Sequence, residues 1–554
     1  MTFESDEDVI TDSNHDSRAM VEDKSYEIGA RVDCDGYRGT LRYVGPVGDT
    51  KGTWLGVDWD DPSRGKHDGT HQGTEYFEAW HPTSGSFVRP GKARFGISCA
   101  EAIKNRYGLI DDDLAGIDRA SLTSLKKEMK APFVEMVGFS KVNRKQSKFD
   151  QLKIVSLREQ CVSSAGGPGE LGDLCPNIRE FDVSRNLINS WRVVAEICRE
   201  LPRLERLDVS ENVLPTEEHR TAVTLDETFP NIRYLTMSRM NYNWASVQRC
   251  TFMFPSLQEL SISFNLVSRL ESPSGDSNIN GITSLTLEGN LVSSWDEVLK
   301  LGALPRLEYL NVNSNGIEAI RFPCNDDTGK TYMFAGLRQL HLSHNAITEW
   351  RSVSELEKLA NLEDLKFRDN PVLKGVSVET ARQLIISKIA KLKFLNGVEI
   401  DCSERKGAEY DYLKLFGPQW LQTADSSGPN NTTDRRKEFI ENHPRYPFLV
   451  EKYGGPEAVA PKANCSMVSD VITVEFLCPN DPAQTKMITR KLLKDMDVQK
   501  VTGLAQRIFR TGGKIPTLSF VRRDLSKDEI PLDKPLQQLS YYSIQDGDRV
   551  LVRW

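Results

Sequence analysis

One pattern restricts the fold of this chain more than any other, and it recurs nine times between residues 152 and 372. In its full form, apolar residues stand as LxxLxLxxN with a further apolar side chain two positions after the asparagine. Leu204-Leu207-Val209-Asn212-Leu214 and Ile282-Leu285-Leu287-Asn290-Val292 show it clearly. The others begin at Ile178, Leu257, Leu307, Leu337 and Leu362, with Asn186, Asn265, Asn315, Asn345 and Asn370 in the turn. Two copies depart at the asparagine: Leu152-Val155-Leu157 is followed by Gln160, and Ile232-Leu235-Met237 by Met240. The alternation sends apolar side chains inward from a short strand, and the asparagine amide can bond the turning backbone. No copy can bury its apolar face alone, so neighbours must stack into one continuous core.

The pattern is that of the leucine-rich repeat, and the resemblance implies a solenoid with a concave sheet. The segments between strands agree. A tryptophan stands five positions after three of the asparagines, at Trp191, Trp295 and Trp350, and Trp244 holds nearly the same place in a degenerate copy. Each opens a helical spacing such as Trp191, Val194, Ile197 and Leu201. A row of indoles could form a ligand platform, but an apolar stripe normally faces a core, and filling between helix and strand is the preferred reading. Residues 381–415 continue the apolar pattern and then turn polar, as a capping repeat should. A sheet built this way exposes Ser156, Asp182, Asp208, Thr236, Ser261, Thr286, Asn311, His341 and Lys366, with Arg368 two positions beyond. Asp182, Asp208, His341, Lys366 and Arg368 are therefore the candidate concave binding residues, on a face running from acidic to basic that would suit a partner of matching gradient.

Residues 27–103 are dense in glycine, with short β-type runs at Gly39–Gly45, Trp54–Trp59 and Ser86–Pro90. Between the last two lies Gly65-Lys66-His67-Asp68-Gly69. This stretch resembles the CAP-Gly domain, whose hallmark GKNDG reads GKHDG here. The resemblance implies a pocket for acidic, aromatic chain ends of the EEY/F type, such as the α-tubulin tail. Lys66 and Arg89 would pair with carboxylates, His67 and the backbone N–H groups of the turn at Asp68 and Gly69 would hydrogen-bond the chain end, and Trp54 and Phe87 would pack on the aromatic ring. His67, His71 and His81 do not make a metal site, since no cysteine completes a ligand set.

The last segment begins with the alternating Ile472–Leu477, passes through a helical run from Val498 to Phe509, and ends in Arg549–Trp554. With Leu536, Leu539 and Ile544 before Asp546-Gly547-Asp548, its ββ-helix-ββ order resembles the ubiquitin-like fold. It ends in Arg-Trp, without the Gly-Gly of a conjugated modifier, and is expected to serve as a binding domain. Thr423–Thr433 reads as a Ser/Gly/Asn-rich linker, and the His443–Pro447 stretch as an ordered docking segment.

Gly167–Gly172 matches GxGxxG, but a dinucleotide site would need a long helix to follow, and Pro176 with the next repeat arrives too soon. It reads as a loop insertion. No phosphate loop, nucleophile elbow or HExxH is present, so neither catalysis nor a cofactor is expected. The net charge of −8 argues against general nucleic-acid binding. No apolar run is long enough to span a bilayer, and the acidic start lacks a signal peptide's apolar core. That points to the cytosol or nucleus, where ten scattered cysteines would stay reduced.

The whole reads as a multidomain α+β chain: an acidic N-terminal segment (1–25), a CAP-Gly β domain (26–103), a helical connector (104–147), leucine-rich repeats with their cap (148–420), a linker and docking segment (421–465) and a ubiquitin-like β-grasp domain (466–554). That order resembles the tubulin-folding cofactor E family from about residue 26 onward. The resemblance implies a chaperone cofactor, not an enzyme, that binds α-tubulin and works with other tubulin-folding cofactors to assemble or dissociate the α/β heterodimer. Two rival readings are a microtubule-associated CAP-Gly adaptor and a ubiquitin-pathway adaptor that meets the proteasome through its C-terminal domain.

Overall fold

The computed structural model describes residues 26–108, 139–216, 229–273, 278–323, 329–423, 429–455, 471–479, 487–511, 514–523, 529–535 and 537–554. The acidic segment 1–25 and most of the connector lie outside these, as does Leu536.

All nine expected repeat strands form, from Ile154–Ser156 to Asp364–Lys366, and pair in parallel in chain order. Phe394–Leu395 adds a tenth strand and folds back on Val398–Glu399, closing an eleven-stranded sheet. Register is set by the inward apolar residues: Phe181 pairs with Leu207, Leu207 with Leu235, and Leu235 with Leu260. One side of the turn is held by buried asparagines. Asn186 Nδ2 donates to the carbonyls of Leu157 and Val183, and its Oδ1 accepts from the N–H groups of Gln160 and Val162. Asn290 repeats the arrangement with Ile262, Leu287 and Val267. To reach this turn, the residue just before each asparagine, or before Gln160 or Met240 in its place, takes a left-handed φ, from Glu159 (60°) through Phe264 (55°) and Gly289 (68°) to Asp369 (53°). On the convex side the helices Trp191–Arg199, Trp244–Thr251, Trp295–Leu299 and Trp350–Glu355 each start at the expected tryptophan. Trp191, Trp244 and Trp295 are buried and Trp350 packs partly buried against the same core, so the indoles fill space.

Four readings from sequence change here. Residues 97–107, assigned above to the glycine-rich module and the connector, are the solenoid's N-terminal lid. Ile97–Ser98 pairs with Val162–Ser164, and the helix Cys99–Tyr107 buries Cys99, Ala102 and Ile103 in the repeat core. The first repeat leaves an open apolar end, and this helix has the small apolar face to cover it. The Gly167–Gly172 stretch is not only a loop: it leads into a helix at Glu170–Leu174, whose first amides, Gly169, Leu171 and Gly172, are taken by the Glu200 carboxylate.

At the other end, the segment expected to turn polar instead carries a second core. The helix Cys402–Gln422 buries Tyr412 and Leu413 against Phe439, Tyr446 and Leu449. Those residues come from Pro429–Asn442 and Tyr446–Tyr453, both helical, so much of the supposed linker 421–465 is ordered; 424–428 and 456–465 lie outside the described residues. Phe439 near the end of the first helix and Tyr446 and Leu449 in the second supply the apolar contacts, which outweigh the polar composition before them. The docking segment thus meets the cap: Arg445 Nη2 reaches Glu409 at 2.6 Å, both side chains buried.

The C-terminal domain is a β-grasp. Its sheet runs Ile488–Leu493, Val471–Leu477, Arg549–Arg553, Thr517–Val521, Glu529–Pro531, with the first and last strands in chain order parallel at its centre. The helix Val498–Phe509 buries Val498, Val501, Ala505 and Phe509 against it. Arg522, Lys534, Ser543 and Gln545 of this domain contact Asp411, Asp401, Gln383 and Lys414 of the cap.

Candidate functional site: an aromatic groove beside a glycine loop

The glycine-rich module is an antiparallel sheet of Arg31–Cys34, Tyr37–Gly45, Trp54–Trp59 and Gly85–Val88 around Val32, Leu41, Leu55, Val57 and Trp59. The GKHDG loop lies against its edge. Lys66 N–H donates to Gly85 O at 2.8 Å, and Gly85 N–H returns to His67 O at 2.7 Å. The bounding glycines are required by contact with backbone. A Cβ on Gly65 would fall 2.0 Å from Thr83 O, and one on Gly69, at φ +106°, 1.7 Å from Phe77 O.

Held this way, the loop presents Lys66 and His67. Lys66 is exposed, and its ammonium has no ion pair among the described residues. His67 stacks on Phe87 with centroids 4.9 Å apart, and its Nδ1 accepts from Gly69 N–H at 3.0 Å. Burial lowers its pKa, so the ring is neutral at pH 7 and carries its proton on Nε2, as a donor. Phe87 is in turn ringed by Tyr76 and Phe77 at 5.4 and 5.6 Å and by Tyr43 at 6.3 Å. At one end the Arg89 guanidinium lies 3.7 Å over Trp54, braced by the carbonyls of Lys51 and Thr53. Asp68 faces solvent but accepts from the N–H and hydroxyl of Thr70, so it holds the turn. The result is a half-exposed aromatic floor with two cations and a neutral donor around it. Such a surface can take an extended acidic chain ending in an aromatic residue.

Sequence reasoning missed Tyr43, Tyr76 and Phe77 as parts of this wall. Tyr43 stood in plain view in a strand run. Tyr76 and Phe77 arrive on the loop after GKHDG, and nothing local marks them.

The concave candidates fare differently. Asp182 is bonded by the Ser156 hydroxyl and Ser184 N–H, and Asp208 by Ser210 N–H. Arginines stand among them: Arg158 reaches Glu211 at 2.6 Å, and Arg206 stacks 4.0 Å over Tyr234 between Glu180 and Glu259. His341 must be corrected. It is buried, bonds Tyr309 OH through Nδ1 at 3.0 Å, and burial with Lys366 nearby pushes its pKa down to about 4. It is neutral at pH 7 and adds nothing to a basic end. Lys366 and Arg368 are exposed, but Asp364 and Asp369 lie among them. The gradient read from one column of residues is flattened by the columns beside it.

Among the described residues no cluster of three or more His, Cys, Asp or Glu could hold a metal, and no helix is long and apolar enough to cross a membrane. A glycine-braced groove on a small β domain, carried by a repeat solenoid with a docked β-grasp domain, defines a multidomain scaffold that binds other polypeptides. The CAP-Gly domain model matches residues 28–93. Tubulin-specific chaperone E of Xenopus laevis is 40% identical over 527 residues, spanning 95% of this chain and 98% of that protein. The Homo sapiens protein of that name is 38% identical over 530 residues, with the same coverage. The solution structure of the C-terminal ubiquitin-like domain of mouse tubulin-specific chaperone e is 31% identical, covering 17% of this chain and 94% of that one at a TM-score of 0.15. The chain belongs to the tubulin-specific chaperone E family.

Proposed function

We propose that this protein is a non-catalytic tubulin-folding cofactor that captures the C-terminal tail of α-tubulin in the CAP-Gly groove and holds the folded body on its solenoid. The observation that carries the reading is the Phe87–His67 stack, with Lys66 free of any ion pair among the described residues at its edge and Trp54–Arg89 closing one end. An aromatic end residue finds a π-floor there, and its carboxylates find Lys66, Arg89 and the imidazole N–H. Joining this site to a second on the same chain raises the local concentration of the body once the tail is held, so two weak contacts give tight binding, by ~10²-fold or more.

In this reading the protein acts in the cytoplasm and at the cytoskeleton, with other tubulin-folding cofactors, on assembly or dissociation of the α/β heterodimer. The β-grasp domain is used internally: Arg522 and Lys534 are spent on the cap, and its outer sheet face carries the ion pairs Arg549–Glu475 and Arg553–Glu529. That supports a positioning role for the domain over a proteasome-docking one. The test is to mix the full chain with α/β-tubulin, with and without the α-subunit's terminal tyrosine, and to size the products. Capture of soluble tubulin, weakened by loss of the tyrosine and followed by separation of the dimer, is expected. Binding to polymer alone would contradict the cofactor reading and favour a microtubule adaptor.

A further inference from the structure

The solenoid has a second surface besides its concave sheet: the rim where each strand enters its asparagine turn. Its left-handed positions are mostly charged or polar, as at Glu159, Arg185, Glu211, His344 and Asp369. Across the third to sixth repeats it exposes Val213, Phe264, Leu266 and Leu291 at 46, 44, 50 and 55%. Leu266 and Leu291 hold equivalent positions in adjacent repeats, each just after the turn asparagine, and Val213 holds the same position two repeats earlier. Leu291 N–H bonds Val267 O and Leu266 N–H bonds Tyr242 O, so the rim is an ordered ladder.

Phe264 is the informative member. It occupies the left-handed position that the turn demands, at φ 55°. A bulky residue there costs about 1–2 kcal/mol relative to one suited to it. This ring lies against Gly289, where a Cβ would fall 2.4 Å from it, and beside the Arg239 guanidinium at 4.3 Å, yet it stays 44% exposed. Folding alone gives little reason for an aromatic at this place. A partner that covers the ring does.

The same rim carries the CAP-Gly module. Asn189 Nδ2 of the second repeat donates to Gly29 O of the module, and Cys161, which occupies in the first repeat the position that Val213, Leu266 and Leu291 occupy later, accepts at 2.9 Å from Ile97 N–H, where the chain passes from the module into the lid. The apolar strip is thus the continuation, along one edge, of the line on which the tail-binding module is mounted. The concave side chains, by contrast, are largely satisfied by one another, as in Ser156–Asp182, Arg158–Glu211, Asn311–Glu288 and Tyr309–His341. A partner entering there would have to break those bonds.

The geometry points to this rim, and not the concave sheet, as the surface on which the folded body of tubulin rests while its tail is held in the groove. The inference builds on the tail-capture reading above and commits it to a place. The body packs apolar surface on Phe264, Leu266 and Leu291, and Arg239 offers a charge-assisted bond at the edge.

The test uses the full chain with two ligands, soluble α/β-tubulin and a synthetic peptide ending in Glu-Glu-Tyr. The rim variant is Phe264→Asn with Leu291→Ser; the concave variant is Lys366→Glu with Arg368→Glu. Asparagine tolerates the left-handed turn, so the rim variant should unfold at a temperature no lower than that of Phe264→Ala with Leu291→Ser, which separates binding from folding. The rim variant is expected to weaken tubulin binding at least tenfold and to leave peptide affinity within twofold. The concave variant is expected to leave both within twofold. Tubulin affinity unchanged in the rim variant, or lost in the concave one, overturns the assignment. A wild-type chain that binds peptide but not tubulin overturns the rim alone, and one that binds neither overturns the tail reading with it.

Discussion

Arg522, at the end of a β-grasp strand, places Nη1 3.0 Å from Asp411 Oδ1 on the long cap helix, with its own side chain 1% exposed. The guanidinium also lies 5.4 Å from the Tyr410 ring and 5.9 Å from Phe520. Burial raises the Asp411 pKa and Arg522 opposes that rise, so each charge is tolerable only because of the other. Among the described residues it is the most deeply buried ion pair between the C-terminal domain and the cap, and it ties the domain's orientation to the solenoid.

Breaking that pair from one side should be costly. Arg522→Met leaves a carboxylate buried without its counter-charge, at about 3–5 kcal/mol. The expected result is faster hydrogen exchange in 402–422 and a separate early unfolding step for the C-terminal domain. Adding Asp411→Leu should recover most of the loss. A single variant that unfolds like wild type would show the pair to be incidental.

Lys388 gives a pH signature. It is buried where the cap helices meet, donates to Ser354 Oγ and Asn442 O, and burial pushes its pKa down to about 7 from an ordinary 10.5. Between those values the unfolded chain binds the proton more readily than the folded one, so stability rises with pH across that window. The slope for one such group is at most about 1.4 kcal/mol per pH unit. Denaturant titrations from pH 7.5 to 9.5 should show wild type gaining stability relative to Lys388→Met, a difference that isolates Lys388 from buried thiols such as Cys99 and Cys198, whose raised pKa values act in the opposite sense. The window stops short of pH 10, where the raised pKa of buried Tyr412 begins to act in the opposite sense.

The asparagine ladder should be equally sensitive. Asn290→Ala removes the donor to Ile262 O and Leu287 O and the acceptor for Val267 N–H, all buried. Leaving such groups unpaired costs about 2–4 kcal/mol in sum. Thermal unfolding should show a clear drop, with tail-peptide affinity unchanged because the groove lies in another core.

Gly69→Ala should do the reverse. The new Cβ would overlap Phe77 O, and the φ of +106° suits glycine alone. The loop must shift, at about 2 kcal/mol or more. Peptide binding should fall sharply while the solenoid's unfolding stays where it was.

Sequence showed the repeats in detail because period and burial coincide there: every inward residue from Val155 to Leu365 is both patterned and buried. It was weaker where a residue's role depends on a neighbour far along the chain. Burial and the nearby Lys366 keep the expected cation His341 neutral, and its ring bonds Tyr309 on the adjacent strand, 32 residues away. The outer β-grasp strands were hard to place because Ile488–Leu493 alternates weakly and Glu529–Pro531 is three residues long. In the groove, GKHDG, Trp54, Phe87 and Arg89 were legible as a motif, whereas Tyr76 and Phe77 are brought in by a loop path that no local pattern encodes.

The central claim is that the glycine loop captures an acidic, aromatic chain end through Lys66. Calorimetric titration of the full chain with a peptide ending in Glu-Glu-Tyr, for wild type and Lys66→Ala, tests it most directly. A charge-assisted contact worth about 1.5–3 kcal/mol predicts a loss of roughly tenfold or more in affinity. Equal affinities for the two proteins would contradict it.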